Sequence, residues 1–135
     1  MNWSVAFQDD FAAEFDALPE TARTEILALA RLLQAFGPTL GRPRVDTLKG
    51  SKHANMKELR FSAEDGEWRV AFVFDPARTA ILLTAGDKSG GSQQRFYKML
   101  IRKADARFDA HLAGLPKPPG GPTKKPAAQR RKKRR

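Results

Sequence analysis

Hydrophobic and polar residues alternate along three consecutive segments in the middle of the chain, residues 57–62, 67–74 and 79–86. The segments are rich in β-branched and aromatic residues, and the residues between them favour turns: AEDG at 63–66 and DPAR at 75–78. Such segments, separated by turn residues, are typical of antiparallel strands joined by hairpins. The pattern therefore predicts a three-stranded antiparallel sheet at the centre of the fold.

The two faces of this predicted sheet differ in polarity, because successive side chains of a strand point to opposite faces. One face is apolar and is expected to pack on the core. Its residues are Leu59, Phe61, Trp68, Val70, Phe72, Phe74, Ile81, Leu83 and Ala85. The other face carries Glu58, Arg60 and Arg69, and the hairpin places the two arginines opposite each other. Like charges on paired strands repel each other, so we expect this exposed face to bind an anion.

Helical patterns precede and follow the sheet. Asp9 or Asp10 is a candidate cap for a first helix over residues 10–18, and Pro19 fits the first position of a second helix over residues 19–36. A last helix is predicted over residues 92–112 from apolar residues at every fourth position: Phe96, Leu100, Ala104, Phe108 and Leu112. Residues 37–55, which contain several glycines and prolines, are predicted to form a long loop.

The order of these elements predicts an α/β (α+β) two-layer domain. An antiparallel sheet would be covered on one face by an N-terminal helix hairpin and a C-terminal helix. Residues 3–7 (WSVAF) form a further candidate strand, at an edge of the sheet or beside its third strand.

Composition excludes several classes of site. The chain has no cysteine and only two histidines, so we expect neither a disulfide framework nor a metal site, and no motif indicates a cofactor. No apolar segment reaches the roughly 20 residues that span a membrane, and the N-terminus lacks the basic region of a signal peptide. These features favour a cytoplasmic protein that does not bind membranes.

Positive charge is concentrated at the C-terminal end. Residues 116–135 contain nine of the 25 lysines and arginines, none of the 15 acidic residues and no large apolar side chain. A segment of this composition is expected to be disordered. We therefore divide the chain into a folded domain, residues 1–115, in which opposite charges nearly balance, and a disordered basic tail, residues 116–135.

Three segments carry a resemblance to a known family: MKELRF, DGEWRVAFVFDPARTAILLTAGDKSG and RFYKMLIRKADARFDAHL. Together they make residues 1–115 resemble the RelE/ParE superfamily of toxins from type II toxin–antitoxin systems, in particular its phage-derived HigB-like branch. The resemblance implies a RelE-like fold and inhibition by a cognate HigA-like antitoxin with a helix-turn-helix domain.

The resemblance also implies an activity. Toxins similar to RelE and HigB cleave mRNA in the ribosomal A site, whereas ParE-like members poison DNA gyrase without being nucleases. The leading expectation is therefore a ribosome-dependent, metal-independent mRNA endonuclease, with the ribosome and mRNA as partners. The alternatives are a ParE-like toxin that binds gyrase and a non-catalytic nucleic-acid-binding protein.

Metal-free RNA cleavage requires a base for the 2′-hydroxyl, positive charge for the phosphorane and an acid for the 5′-oxygen. Arg60 and Arg69 match positions at which the superfamily's nucleases carry basic residues, and guanidinium groups suit phosphate oxygens. Glu58 is a candidate base, and Lys88 at a strand end is a candidate catalytic cation. Candidates for RNA contact lie before or at the first strand of the sheet: Lys49, Lys52, His53 and Lys57.

The sequence departs from the best-known nucleases of the superfamily. The RelE pattern places a tyrosine near the C-terminus in the active site, whereas the single tyrosine here, Tyr97, belongs to the last helix. The HigB-type histidines at the chain end are also absent. Structural roles compete with the catalytic ones: Glu58 pairing with an arginine, His53 as an ordinary loop residue and His111 as a surface residue near Asp109.

Overall fold

The computed structural model describes residues 3–115, which form one five-stranded sheet and three α-helices. The strands are β1 (Ser4–Phe7), β2 (Val45–Thr47), β3 (Lys57–Ala63), β4 (Gly66–Phe74) and β5 (Thr79–Asp87). The helices are α1 (Asp9–Phe15), α2 (Glu20–Phe36) and α3 (Gln93–Ala113). The predicted disordered tail, residues 116–135, lies outside the described residues.

The strand order is β1-β5-β4-β3-β2. The first strand is parallel to β5, and the other neighbours are antiparallel. The predicted three-stranded meander and the strand beside it are confirmed, and so is the α+β fold class. None of the helices within residues 3–115 is long and apolar enough to cross a membrane.

Side-chain caps determine where α1 and α3 begin. The cap of α1 is Gln8 and not Asp9 or Asp10, because Gln8 Oε1 accepts hydrogen bonds from the backbone N–H groups of Asp10 (2.9 Å) and Phe11 (3.1 Å). The Ser92 hydroxyl accepts from the N–H of Arg95 at 3.2 Å and caps α3 in the same way. These bonds satisfy N–H groups that have no partner inside the helix.

Both faces of the sheet are buried, so the prediction that all helices cover one face is wrong. One core cluster packs α1 and α2 on the sheet, and its largest members are Phe11, Ile26, Leu33, Leu59 and Phe72. The second cluster packs α3 on the opposite face, with Ala71, Val73, Leu83, Leu100 and Phe108. The physical reason lies in β4, where residues 70–74 are all apolar and present hydrophobic side chains to both faces.

A bulge in β5 changes which side chains face each helix layer. Ala71 lies opposite Thr84 and Phe72 opposite Leu82, so Leu83 has no partner in β4. An extra residue of this kind reverses the alternation of side chains along a strand. The residues before the bulge therefore lie on the faces opposite to those predicted: Ala80 and Leu82 pack with the helix hairpin, and Ile81 and Leu83 pack under α3.

The predicted loop of residues 37–55 contains regular structure. A 3₁₀ turn (Gly37–Thr39) follows α2, and β2 pairs with β3 so that Val45 lies opposite Leu59 and Asp46 opposite Glu58. Three residues between glycines and prolines are too few to show a strand period. The pairing places a carboxylate from this segment beside the polar residues of β3.

Arg107 joins the two helix layers at the bulge. Its Nη1 donates to Glu14 Oε1 of α1 and to the carbonyl of Leu83, both at 2.9 Å, and its Nη2 donates to Glu14 Oε2 at 2.5 Å. The hydrogen bond from Arg107 is the main reason why the pKa of Glu14 lies below its usual value. One side chain thus links α3 to α1 and satisfies a carbonyl of the bulged strand.

We predict that Arg107→Met lowers the free energy of unfolding by about 1–3 kcal/mol at pH 7. This cost is smaller than that of breaking a fully buried ion pair, because the Glu14 side chain is 44% exposed and solvent screens its charge. A lowered pKa contributes stability above the ordinary value and loses it as the pH falls through the lowered one. Urea unfolding should therefore show a smaller cost at about pH 3 than at pH 7. Arg102→Met, on the exposed side of the same helix, is the control. An equal cost at both pH values would indicate lost packing and would contradict the ion pair.

Candidate functional site

Arg60 and Arg69 occupy directly opposed positions of β3 and β4, as predicted. The hairpin turns at Glu64 and Asp65, whose φ angles are both positive (54° and 60°). Positive φ at two central residues is characteristic of the tight turns whose twist matches paired strands. The short turn fixes the register that sets the two arginines side by side.

The environments of the two arginines differ, which corrects the expectation that both lie on an exposed face. The side chain of Arg69 is 7% exposed, because α3 covers it, and that of Arg60 is 36% exposed. Arg69 Nε donates to the hydroxyl of Tyr97 at 3.1 Å, and Arg69 Nη1 donates to the carbonyl of Trp68 at 2.8 Å. Arg60 is therefore the arginine that a ligand can reach directly.

Glu58 is buried between the two guanidinium groups. Its Oε2 lies 3.3 Å from Arg60 Nε, and its Oε1 lies 3.9 Å from Arg69 Nε. Burial raises the pKa of Glu58, and Tyr97, Arg60 and Arg69 oppose this rise. Within residues 3–115, neither Glu58 Oε1 nor Arg60 Nε makes a well-formed hydrogen bond. Buried polar atoms are nearly always paired, so these two buried atoms retain unused hydrogen-bonding capacity.

Tyr97 completes the cluster, although its place in the last helix did not predict a role in the site. Burial is the main reason why the pKa of its hydroxyl is raised. The hydroxyl therefore keeps its proton at neutral pH and can donate one hydrogen bond while it accepts another from Arg69. Its spacing from Leu100 and Ala104, three and seven residues, places it on the buried side of α3. This spacing was the signal in the sequence.

A second carboxylate, Asp46 of β2, lies beside Arg60. Asp46 Oδ2 is 3.7 Å from Arg60 Nη1 and 3.3 Å from Arg42 Nε. The N–H of Thr47 is the main cause that lowers the pKa of Asp46, and Arg42 and Arg60 add to the effect. Arg60 is thus held between Asp46 and Glu58, which lie opposite each other on paired strands.

Lys52 and His53 lie away from this cluster. Both pair with Asp109 in the last turns of α3: Lys52 forms an ion pair, and His53 Nε2 lies 2.9 Å from Asp109 Oδ1. Twelve helical positions separate Asp109 from Tyr97, a distance of about 18 Å. His53 is therefore not brought to the arginine pair.

Within residues 3–115, the other predicted lysines make no side-chain hydrogen bond or ion pair with the cluster. Lys57 shares its face of β3 with Leu59 and not with Glu58, because it lies one position away along the strand. Lys88 follows β5 and lines a groove beside α3, and Lys49 lies on the exposed surface of the segment before β3. His111 is not a free surface residue, since its Nε2 lies 2.8 Å from the buried carboxylate of Asp75.

Metal ligands are not grouped in the described part of the chain. Within residues 3–115, no three histidine, cysteine, aspartate or glutamate side chains cluster in a way that could hold a metal ion.

A comparison with known families places the chain. Residues 13–109 match the family model "Phage derived protein Gp49-like (DUF891)". The chain belongs to this family. The match includes β2 to β5 and most of α3, and hence every residue of the cluster.

Two relatives from Mycobacterium tuberculosis are named as candidate toxins. The chain is 48% identical to HigB2 over 89 residues, which are 65% of this chain and 44% of that protein. It is 46% identical to HigB3 over 99 residues, which are 73% of this chain and 84% of that protein. The match thus spans less than half of HigB2 and most of HigB3.

The fold is similar to that of the Escherichia coli toxin RelE. A solved structure of a double arginine-to-alanine variant of RelE in the free state matches with a TM-score of 0.52 and 12% identity. The match covers 76% of this chain and 97% of that one. At this identity the likeness concerns the fold. Together with the HigB relatives, it confirms the predicted resemblance to RelE and HigB-like toxins.

The buried charges generate a prediction about stability. Arg69→Ala should lower the free energy of unfolding by about 2–4 kcal/mol, because it removes a buried cation beside Glu58 and leaves the Tyr97 hydroxyl and the Trp68 carbonyl without their donor. Arg60→Ala is the matched comparison: it also removes a cation beside Glu58, but Arg60 is partly exposed and makes no hydrogen bond to Tyr97 or Trp68, so its cost should be smaller. Urea unfolding at neutral pH measures both, and equal costs would contradict the burial of Arg69.

The cost of Arg69→Ala should also depend on pH. A raised pKa means that the folded state holds the Glu58 proton more tightly, so stability is lost as the pH rises through that pKa. Without Arg69 the pKa should rise further, and the cost should increase from about pH 5 to pH 7. In the Glu58→Gln, Arg69→Ala double variant, the loss of unfolding free energy should not depend on pH in this way. If the pH dependence remained in the double variant, it would have to come from a group other than Glu58.

Proposed function

We propose that this protein is the toxin of a type II toxin–antitoxin pair and that it cleaves mRNA on the ribosome. The observation that supports the proposal is the cluster of Glu58, Arg60, Arg69 and Tyr97. The partly exposed guanidinium of Arg60 adjoins the buried carboxylate of Glu58, and Arg69 holds the protonated hydroxyl of Tyr97. Phosphate binding, proton acceptance and proton donation are the three roles that metal-free RNA cleavage needs.

In this proposal the two arginines have different tasks. Arg60 contacts the scissile phosphate, and its charge stabilises the phosphorane. Arg69 is a positioning residue: it holds the hydroxyl of Tyr97 through Nε and adds positive potential from beneath the surface. A buried cation keeps its orientation without the entropy cost that a surface arginine has.

Glu58 and Tyr97 carry the proton transfers. Glu58 takes the proton of the 2′-hydroxyl, and its raised pKa increases its affinity for that proton. The 2′-oxygen then attacks phosphorus, the bond to the 5′-oxygen breaks, and a 2′,3′-cyclic phosphate forms. Tyr97 donates its proton to the leaving 5′-oxygen, since an alkoxide is a stronger base than a phenolate. Transfer of the proton from Glu58 to Tyr97 restores both groups.

The proposed partners follow from the same assignment. The toxin names of the two relatives support an antitoxin as the inhibitor, and the resemblance to HigB-like toxins implies one of the HigA type with a helix-turn-helix domain. The ribosome presents the mRNA, which would place the activity in the cytoplasm. The mechanism uses only side chains and needs no cofactor.

One observation favours a second candidate, a toxin that binds a protein target such as gyrase. Arg69 is occupied by Tyr97 and Trp68, so the two arginines do not form an open clamp on a phosphate. A surface that presents one accessible arginine beside Asp46 also suits contacts with a protein. The two candidates differ in the nucleic acid that is damaged.

Expression without an antitoxin tests the proposal. We expect growth arrest, discrete cuts in translated mRNA when 5′ ends are mapped, and no SOS response. Arg60→Ala and Tyr97→Phe should abolish the cuts, and Arg60→Ala should leave the thermal midpoint nearly unchanged. Arg102→Ala serves as the control for the loss of one exposed cation. Intact transcripts with double-strand DNA breaks would favour gyrase, and undiminished cutting by the Arg60 variant would reject the site.

The basic tail generates a separate prediction. Residues 116–135 carry nine cations and no acid, and phosphate contacts made by such a segment release counterions. A chain that ends at Leu115 should keep its fold and its antitoxin binding, but it should bind ribosomes more weakly and with a flatter salt dependence. A tail of equal length with glutamine at the basic positions is the control. Equal ribosome binding by the full and shortened chains at low salt would show that the tail is not an RNA-binding arm.

A further inference from the structure

The sheet has an open edge at the end of β5. β1 pairs with residues 79–82 of β5, whereas β5 continues to Asp87. At Leu83 the edge is occupied by Arg107, which donates to the carbonyl. Within residues 3–115, no strand lies beside residues 84–87 on the side away from β4. Four residues of strand, about 13 Å long, are therefore unpaired on one side.

The direction of the backbone groups on this edge follows from the pairing with β4. The N–H of Lys88 donates to the carbonyl of Glu67 at 2.8 Å, and Gly86 lies opposite Arg69. Backbone groups of successive residues point to opposite sides of a strand. Ala85 and Asp87 therefore direct their N–H and C=O groups to the open side, where an extended chain can pair with them.

A groove of about 380 Å³ runs along this edge beneath α3. Phe96, Met99 and Leu100 form its apolar wall, and Met99 is 50% exposed. The close approach of α3 depends on Gly86, because a Cβ at this position would lie 2.9 Å from Phe96 Cε1. The groove thus combines apolar surface with an unpaired strand edge.

The charge of the groove indicates what it binds. Lys88, Arg95 and Lys103 line it, and none of the three takes part in an ion pair within residues 3–115. Its acidic lining residue is Asp87, whose Oδ1 already accepts hydrogen bonds from the N–H groups of Glu67 and Ser89 and from the Ser89 hydroxyl. Three cations are therefore available to an acidic ligand.

We propose that this groove binds an extended acidic segment of a partner protein, which adds to the sheet beside residues 84–87. Backbone hydrogen bonds at Ala85 and Asp87 would hold the main chain, Met99 would contact an apolar side chain, and the three cations would pair with carboxylates. The tail of this chain is basic and has the wrong charge for the groove. RNA would satisfy the cations but not the backbone edge. The proposal does not depend on whether the chain cleaves RNA.

A synthetic peptide tests the proposal on the full chain. The probe is an octapeptide of alternating glutamate and valine, and its binding is followed by amide resonances and by fluorescence anisotropy. We expect the amide resonances of residues 84–87 and of Met99 to shift when the peptide binds. Two further peptides carry N-methyl groups, one on the odd-numbered residues and the other on the even-numbered residues. In one of the two, the methyl groups replace the backbone N–H groups that would donate hydrogen bonds to β5. That peptide should bind about tenfold more weakly, and the other should bind unchanged.

The N-methylated pair also controls for the basic tail, because all three peptides have the same charge and are attracted to the tail equally. Equal affinity of the three peptides would overturn strand addition. Strand addition would also be overturned if a uridine oligonucleotide shifted the amide resonances of residues 84–87 and the acidic peptide did not. This result would identify the groove as a nucleic-acid site.

Groove variants provide the second arm. Met99→Asp and Lys103→Glu should each weaken peptide binding by about tenfold, because they place negative charge against the acidic segment. The matched controls are Leu27→Asp, at an exposed position of α2, and Arg102→Glu, next to Lys103 but outside the groove lining. Circular dichroism checks that all variants are folded. Full-strength binding by both groove variants, or equal losses in the controls, would reject the groove as the binding site.

Discussion

The guanidinium of Arg69 is buried between β4 and α3, and taking such a group out of water without partners would cost several kcal/mol. Its neutralisation determines the arrangement around it: Glu58 supplies the negative charge, Tyr97 accepts a hydrogen bond from Nε, and the Trp68 carbonyl accepts one from Nη1. The first turns of α3 must lie where the Tyr97 hydroxyl can accept the hydrogen bond from Arg69 Nε. One desolvated cation therefore links the position of a helix to the geometry of the candidate site.

The same burial gives the two arginines of one cross-strand pair different properties. Arg60 stays partly exposed between two carboxylates, whereas Arg69 is enclosed. The repulsion between them is balanced within the protein by Glu58 and Asp46, so an external anion is not required to hold the pair together. This division suits a site in which one cation meets the ligand and the other orients the group that reacts with it.

Much of this could be predicted from the sequence, for identifiable reasons. The turn residues at 63–66 and the alternation along the strands determine the register of the hairpin, and so the sequence predicts Arg60 opposite Arg69, although the turn itself is shorter than the predicted loop. The position of α3 is not predicted, because the alternation puts Ala71 and Val73 on the polar face, which was expected to be exposed, whereas both are buried against α3. The bulge at Leu83 leaves no sequence signal, since Leu82 and Leu83 are identical and both are apolar. Tyr97 was missed because its hydroxyl acts through Arg69, a contact between residues 28 positions apart.

The two adjacent leucines at the bulge have a consequence for how the length of the chain can vary. Deletion of either Leu82 or Leu83 yields the same sequence, and the shortened strand can pair regularly with β4, with Thr84 still opposite Ala71 and a leucine still opposite Phe72. All residues beyond this point would keep their neighbours. The deletion would remove one leucine from beneath α3 and the carbonyl that Arg107 binds. Relatives one residue shorter here can therefore share the fold, provided that they join α1 to α3 in another way.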